Sequence, residues 1–140
     1  MDVKLVFRIA AVIGVINGLG LLFMGNTFFA MANLTPTPDL ITLGQFTGVT
    51  FLFLSLLQWR IPDIAGDAFS SLGQLFGIGY AMWFLIVGYH IMTGRAGGAT
   101  GYVNIALIAI LAVLFYMQSK KDKKSKLKKN NRSSIYNIIY

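Results

Sequence analysis

A chain of 140 residues that is 56% apolar and only 12% charged, with a mean hydropathy of +0.67, has too few charges to clothe a water-soluble globule. Its length fits one domain, and its composition points to an integral membrane protein. No cysteine is present, which excludes a disulfide framework and a thiolate nucleophile, and the net charge of +7 is gathered mainly at one end.

In chain order, residues 5–25 form an apolar stretch interrupted by Arg8 and Asn17. As a helix it would extend about 30 Å, enough for one crossing of a bilayer. Lys4 and the Ala30-Met31-Ala32 triplet imitate a secretory signal, but the apolar run exceeds the ~7–15 residues of a signal core. The first helix is therefore expected to be retained. Pro36 and Pro38 force a loop at 33–39, with Thr35 or Thr37 as a helix cap. A second helix is predicted over 40–59, anchored at the interface by Trp59 and Arg60. Pro62 should stop it, leaving Asp63 or Asp67 to cap the third helix, predicted over 68–92. That helix is aromatic, carrying Phe69, Phe76, Tyr80, Trp83, Phe84 and Tyr89. Gly94, Gly97 and Gly98 mark residues 93–100 as a flexible loop before a fourth helix over 101–118.

Residues 1–119 thus read as a four-helix membrane domain and 120–140 as a basic tail. Lys120, Lys121, Lys123, Lys124, Lys126, Lys128, Lys129 and Arg132 are offset only by Asp122. Directly after an apolar helix, such a block suits anionic lipid headgroups better than nucleic acid. Residues 120–131 lack apolar periodicity and are expected to be disordered, while 135–140 are apolar again and suited to a membrane surface. Lys4, Arg8, Arg60 and the tail fall on one side and only Arg95 on the other, which puts both termini in the cytoplasm.

One phrase occurs twice, as Leu43-Gly44-Gln45-Phe46-Thr47-Gly48 and as Leu72-Gly73-Gln74-Leu75-Phe76-Gly77. Glycines four apart share a helix face and let backbones approach closely in lipid. Gly44, Gly48, Gly73 and Gly77, with Gly14 and Gly18 of the first helix, are therefore assigned to helix packing. The fold class that follows is all-α, an antiparallel four-helix membrane bundle.

Function is harder to read. The topology places Gln45, His90 and Asn104 in an outer polar layer, with Asn17 nearer the middle. An inner layer holds Arg8, Gln58 and Gln74, with Asp63 and Asp67 at the rim. The outer layer is either a small polar site or a set of interhelix hydrogen bonds, and Arg8 is either a topology anchor paired with Asp67 or an anion contact. One histidine without cysteine or glutamate supplies too few ligands for a metal, and no cofactor is called for. No Ser-His-Asp set, phosphate loop or deep carboxylate is present, so the chain is read as non-enzymatic.

Arg8, then Gly14-x-x-x-Gly18-Leu19-x-Leu21-Leu22, and later Gly48-x-x-Phe51-Leu52-Phe53-Leu54-Ser55-Leu56-Leu57-Gln58-Trp59-Arg60, resemble certain small uncharacterised bacterial four-helix inner-membrane proteins. The resemblance covers the first two helices and the overall length, leaves out the basic tail, and implies a bacterial inner-membrane location without an activity. The leading expectation is a non-catalytic accessory subunit of a membrane complex, or a homo-oligomer. The alternatives are a small-molecule or lipid carrier, an oligomeric pore, and a quinone- or pigment-binding subunit with a slot beside Trp83 or Tyr80. A cavity through the bundle favours the carrier; a dry glycine-packed core favours the accessory role.

Overall fold

The structure, a computed structural model, describes residues 2–139, and the side chains of Lys126 and of 129–139 lie outside that description. It is all-helical, with no strand among the described residues. Helices α1 (Val3–Phe23), α2 (Gly25–Ala30), α3 (Pro38–Ile64), α4 (Phe69–Met92) and α5 (Gly98–Ile139) follow in order, with a single 3-10 turn at Gly66–Ala68. Four segments are long and apolar enough to cross a membrane: Val3–Phe23, Pro38–Ile64, Gly66–Met92 and Gly98–Ser125.

The helix ends follow from local chemistry. Asp2 caps α1 by accepting from the Lys4 amide. At Met24 the amide turns back to the Gly20 carbonyl at 2.9 Å, and the chain bends into α2 at the buried Gly25. The first long helix thus spans Val3–Phe23, and a short helix that was not predicted follows at Gly25–Ala30. Thr37 Oγ1 accepts from the Leu40 amide at 3.3 Å, with Pro38 in the first turn, so α3 begins two residues earlier than predicted.

Its other end is the larger correction. Pro62 does not stop α3, which runs on to Ile64. A proline in the last turn removes a single backbone bond, and the Ala65 amide still reaches the Ile61 carbonyl at 3.0 Å. Neither aspartate caps α4, which starts from the 3-10 turn without a side-chain cap. Nor does α5 end at 118. From Tyr102 to Ile139 there is no glycine or proline, and lysine is a good helix former. A helix already nucleated by an apolar segment therefore continues into the basic residues, where disorder was expected.

Two helix pairs make up the body: α1 packs along α3, and α4 along α5. Glycine carries the first seam. A Cβ on Gly18 would come within 2.9 Å of the Gly48 carbonyl oxygen, one on Gly44 within 2.7 Å of the Phe29 ring, and one on Gly14 would strike Ser55 Oγ. In the second seam, Gly73 lies against Ser119, and Gly77 against the backbone of Tyr116. The pairs join at one end through a buried cluster of Val3, Val6, Phe7, Ala10, Phe69, Leu111 and Phe115. Phe7 is fully enclosed, with ring centroids 4.8 Å from Phe115, 5.2 Å from Phe76 and 5.4 Å from Phe69. Truncating such a ring to alanine costs about 3–5 kcal/mol, so this cluster is the joint that holds the pairs together. By contrast, the backbones of α3 and α4 stand apart, and long side chains bridge them.

Candidate functional site

Because the pairs are joined at one end and α3 stands off α4, a cavity of about 670 Å³ is left between them. All four long helices line it. On α3 the lining residues recur at helical spacing from Leu40 through Gly44, Thr47, Phe51 and Ser55 to Gln58. That run extends roughly 27 Å at about 1.5 Å per residue, close to the thickness of a bilayer core. On α4 the matching stripe is Leu72, Phe76, Gly79, Tyr80, Trp83 and Val87. Neither stripe includes a charged residue, and among the described residues none lines the cavity elsewhere.

Exposure shows where the cavity opens. Every lining residue of α1 and α5 is buried or half-buried, whereas Leu43 and Leu54 of α3 and Leu75 and Trp83 of α4 are exposed. The floor is therefore α1 and α5, and the mouth runs lengthwise between α3 and α4. One end is closed by the aromatic cluster, to which Phe76, Tyr80 and Leu111 belong or adjoin. The other is closed by loops: the Gly97 amide donates to the Ala32 carbonyl at 2.9 Å and the Thr100 amide to that of Met31 at 3.2 Å. Two left-handed residues make this docking possible, Asn33 at φ 57 and Gly98 at φ +62. The loop expected to be flexible is thus tied to the α2–α3 connection by backbone hydrogen bonds.

Polar groups on the cavity are few. Near the aromatic end, Gln58 Nε2 donates to Tyr80 Oη at 2.9 Å, linking α3 to α4. Phe51 and Trp83 meet across the mouth edge to face, with centroids 5.7 Å apart. Asn17 Nδ2 donates to the Ile13 carbonyl of its own helix at 3.2 Å. Ser55 Oγ and Thr47 Oγ1 likewise return their hydrogens to α3, to the Phe51 and Leu43 carbonyls.

The expected outer layer divides. Asn17 and Asn104 both line the cavity. Gln45 is exposed and His90 half-buried against the Tyr89 ring, and neither reaches it. Arg8 forms its ion pair with Asp63 at 3.0 Å, not with Asp67, and its guanidinium lies 4.3 Å over the Trp59 ring. Of the tail residues, Lys120 approaches the Tyr116 ring at 5.6 Å, and Lys121, Lys123, Lys124 and Lys128 are exposed. Lys126, Lys129, Arg132 and the apolar end at 135–140 fall outside the described side chains.

The most informative residue was not singled out from the sequence. A Cβ on Gly79 would meet nothing within 4 Å, although the residue sits in the middle of α4. Mid-helix glycine costs about 1 kcal/mol relative to alanine, and here no neighbouring helix explains it. The signal was its register: it lies off the Gly73, Gly77, Ala81 and Gly88 stripe and on that of Phe76, Tyr80 and Trp83. No family model, no curated protein and no solved structure matches this chain.

Proposed function

We propose that this is an integral membrane protein that binds an elongated, neutral, apolar molecule taken sideways from the bilayer. In this reading the four long helices cross the membrane as an antiparallel bundle with both termini in the cytoplasm. The observation that carries it is the lengthwise mouth between α3 and α4, with the aromatic cluster at one end, hydrogen-bonded loops at the other and no charged residue among its described lining residues. An aqueous pore needs open ends and polar walls; a lipid-like ligand needs neither. A cavity of about 670 Å³ lies within the range of roughly 300–1,000 Å³ typical of small-molecule sites. Gly79 accords with this reading: it lines the cavity, and a Cβ there would meet open space.

The test is blockade. With Trp59→Phe removing the second indole, a brominated long-chain probe in detergent should quench Trp83 saturably, and Gly79→Phe should abolish the saturable part while leaving the fold intact. Quenching that never saturates in the parent protein would refute the site. Reporter fusions after Met31 and Gly97 should lie outside and those after Asp63 and Lys129 inside.

An accessory role is favoured by a separate observation. Residues 81–86 of α4 are all exposed, including Met82 and Leu85. In a bilayer that face meets lipid or a partner subunit. Co-elution of a partner from native membranes, lost with Leu85→Lys, would support the subunit reading alongside ligand binding.

A further inference from the structure

On the cavity wall, hydrogen-bonding groups from two helices meet at Gln58 and Tyr80. Gln58 is only 4% exposed, and its amide is bonded to the Tyr80 hydroxyl. The bond uses one hydrogen and one lone pair. Among the described residues, neither side chain has another hydrogen bond. If Gln58 donates, its second N–H, its amide oxygen and the Tyr80 O–H are left over. If the amide is turned over, Tyr80 donates and both amide N–H hydrogens and the phenol lone pairs are left instead. Either way at least one donor and one acceptor remain side by side.

Resting on the proposed ligand reading, we infer that Gln58 and Tyr80 form a polar anchor for the terminal hydroxyl of a long-chain neutral alcohol lipid, whose tail then lies along Phe51 and Trp83. A hydroxyl both donates and accepts, so it can engage a leftover donor and a leftover acceptor at once; a hydrocarbon engages neither. A carboxylate or phosphate would bring a charge into a cavity with no cation among its described lining residues, where desolvation outweighs any single hydrogen bond. The dyad lies next to the closed aromatic end, so the tail must run toward the loops, the only direction with length to receive it. Tyr80 is held by its ring, stacked on Phe115 at 5.5 Å and 14°, and not by its hydroxyl alone. Its oxygen is thus positioned independently of any ligand.

The experiment compares three competitors of equal chain length against the brominated probe at Trp83: a primary alcohol, the alkane and the carboxylate. The parent protein should prefer the alcohol. Tyr80→Phe keeps the ring stack, and Gln58→Met keeps the volume; each should weaken the alcohol about tenfold, the loss expected for one buried hydrogen bond, and leave the alkane unchanged. If alkane and alcohol compete equally in the parent, or if both variants weaken the two ligands alike, the dyad is a helix clamp and the anchor is refuted. Tightest binding of the carboxylate would also overturn it. Failure of every competitor to displace the probe would count instead against the cavity itself.

Discussion

Gly18 and Gly48 occupy one backbone crossing, where a Cβ on either would come within 2.9 or 2.8 Å of the other's carbonyl oxygen. The contact is backbone against backbone, so no rotamer change can relieve an added side chain. Gly48→Ala should therefore destabilise the protein by about 1–3 kcal/mol, the usual cost of overpacking. Gly79→Ala is the matched control: it faces open space, and its helix propensity should stabilise by up to about 1 kcal/mol. Thermal unfolding in detergent measures both, and equal effects would show that the crossing does not hold α1 to α3.

A second pair of glycines separates backbone strain from docking. Gly98 and Gly94 both have positive φ, +62 and +68, but a Cβ on Gly98 would also strike the Met31 carbonyl oxygen, while one on Gly94 meets nothing. Gly94→Ala should cost only the left-handed penalty of about 1–2 kcal/mol. Gly98→Ala should cost more and also loosen the loop that closes the cavity. Hydrogen exchange at the Gly97 and Thr100 amides would report the loosening; unchanged protection there would place the closure elsewhere.

The Arg8 site shows what a sequence can and cannot convey. Residues four apart on a helix share a face, so Trp59 and Asp63 reach Arg8 together only because α3 continues past Pro62. Ending the helix at 59 leaves Asp63 in a turn and makes Asp67 look equally suited. Both side chains of the ion pair are partly exposed, at 34% and 41%, so Asp63→Asn should cost no more than about 1 kcal/mol and less at high salt. Arg8→Ala should cost more, since the contact with Trp59 is lost too. Asp67→Asn should be silent, and a cost equal to that of Asp63→Asn would remove the pairing from the account.

The four long helices and the glycine faces were legible because they depend on local pattern: apolar length and four-residue spacing. Gly73 and Gly77 meet α5 as their stripe suggests, and Gly14, Gly18, Gly44 and Gly48 meet neighbours of α1 to α3. The cavity was not legible, since it arises from where α3 stands relative to α4, a distance no spacing encodes. Asn17 and Asn104 reach it from different helices, while Gln45 falls on the outer face although the motif around it is shared with Gln74. Trp83 and Tyr80, named beside an expected slot, do line the cavity, and Gly79, a helical glycine out of register with its packing stripe, was a signal left unread.

The continuous α5 changes what the basic tail can do at a membrane. Ser119 is the last buried residue of the helix among those described, and Ser70 Oγ donates to its carbonyl at 2.6 Å. Beyond it Lys120 and Lys121 are exposed, while Asp122 is still half-buried. With a rise of about 1.5 Å per residue and a Debye length of roughly 8 Å, about five residues remain within electrostatic reach of a headgroup surface. Lys120, Lys121, Lys123 and Lys124 qualify; Lys126 and those beyond do not if the helix continues straight. At up to about 1 kcal/mol for each basic residue near an anionic leaflet, the first four carry the contact. Replacing those four with glutamine should abolish the immobilisation of a spin label at Ser125 in anionic liposomes. Replacing Lys126, Lys128, Lys129 and Arg132 should leave it nearly unchanged. If the second set matters as much as the first, the helix bends onto the surface after Ser119 and the whole basic block is the tether.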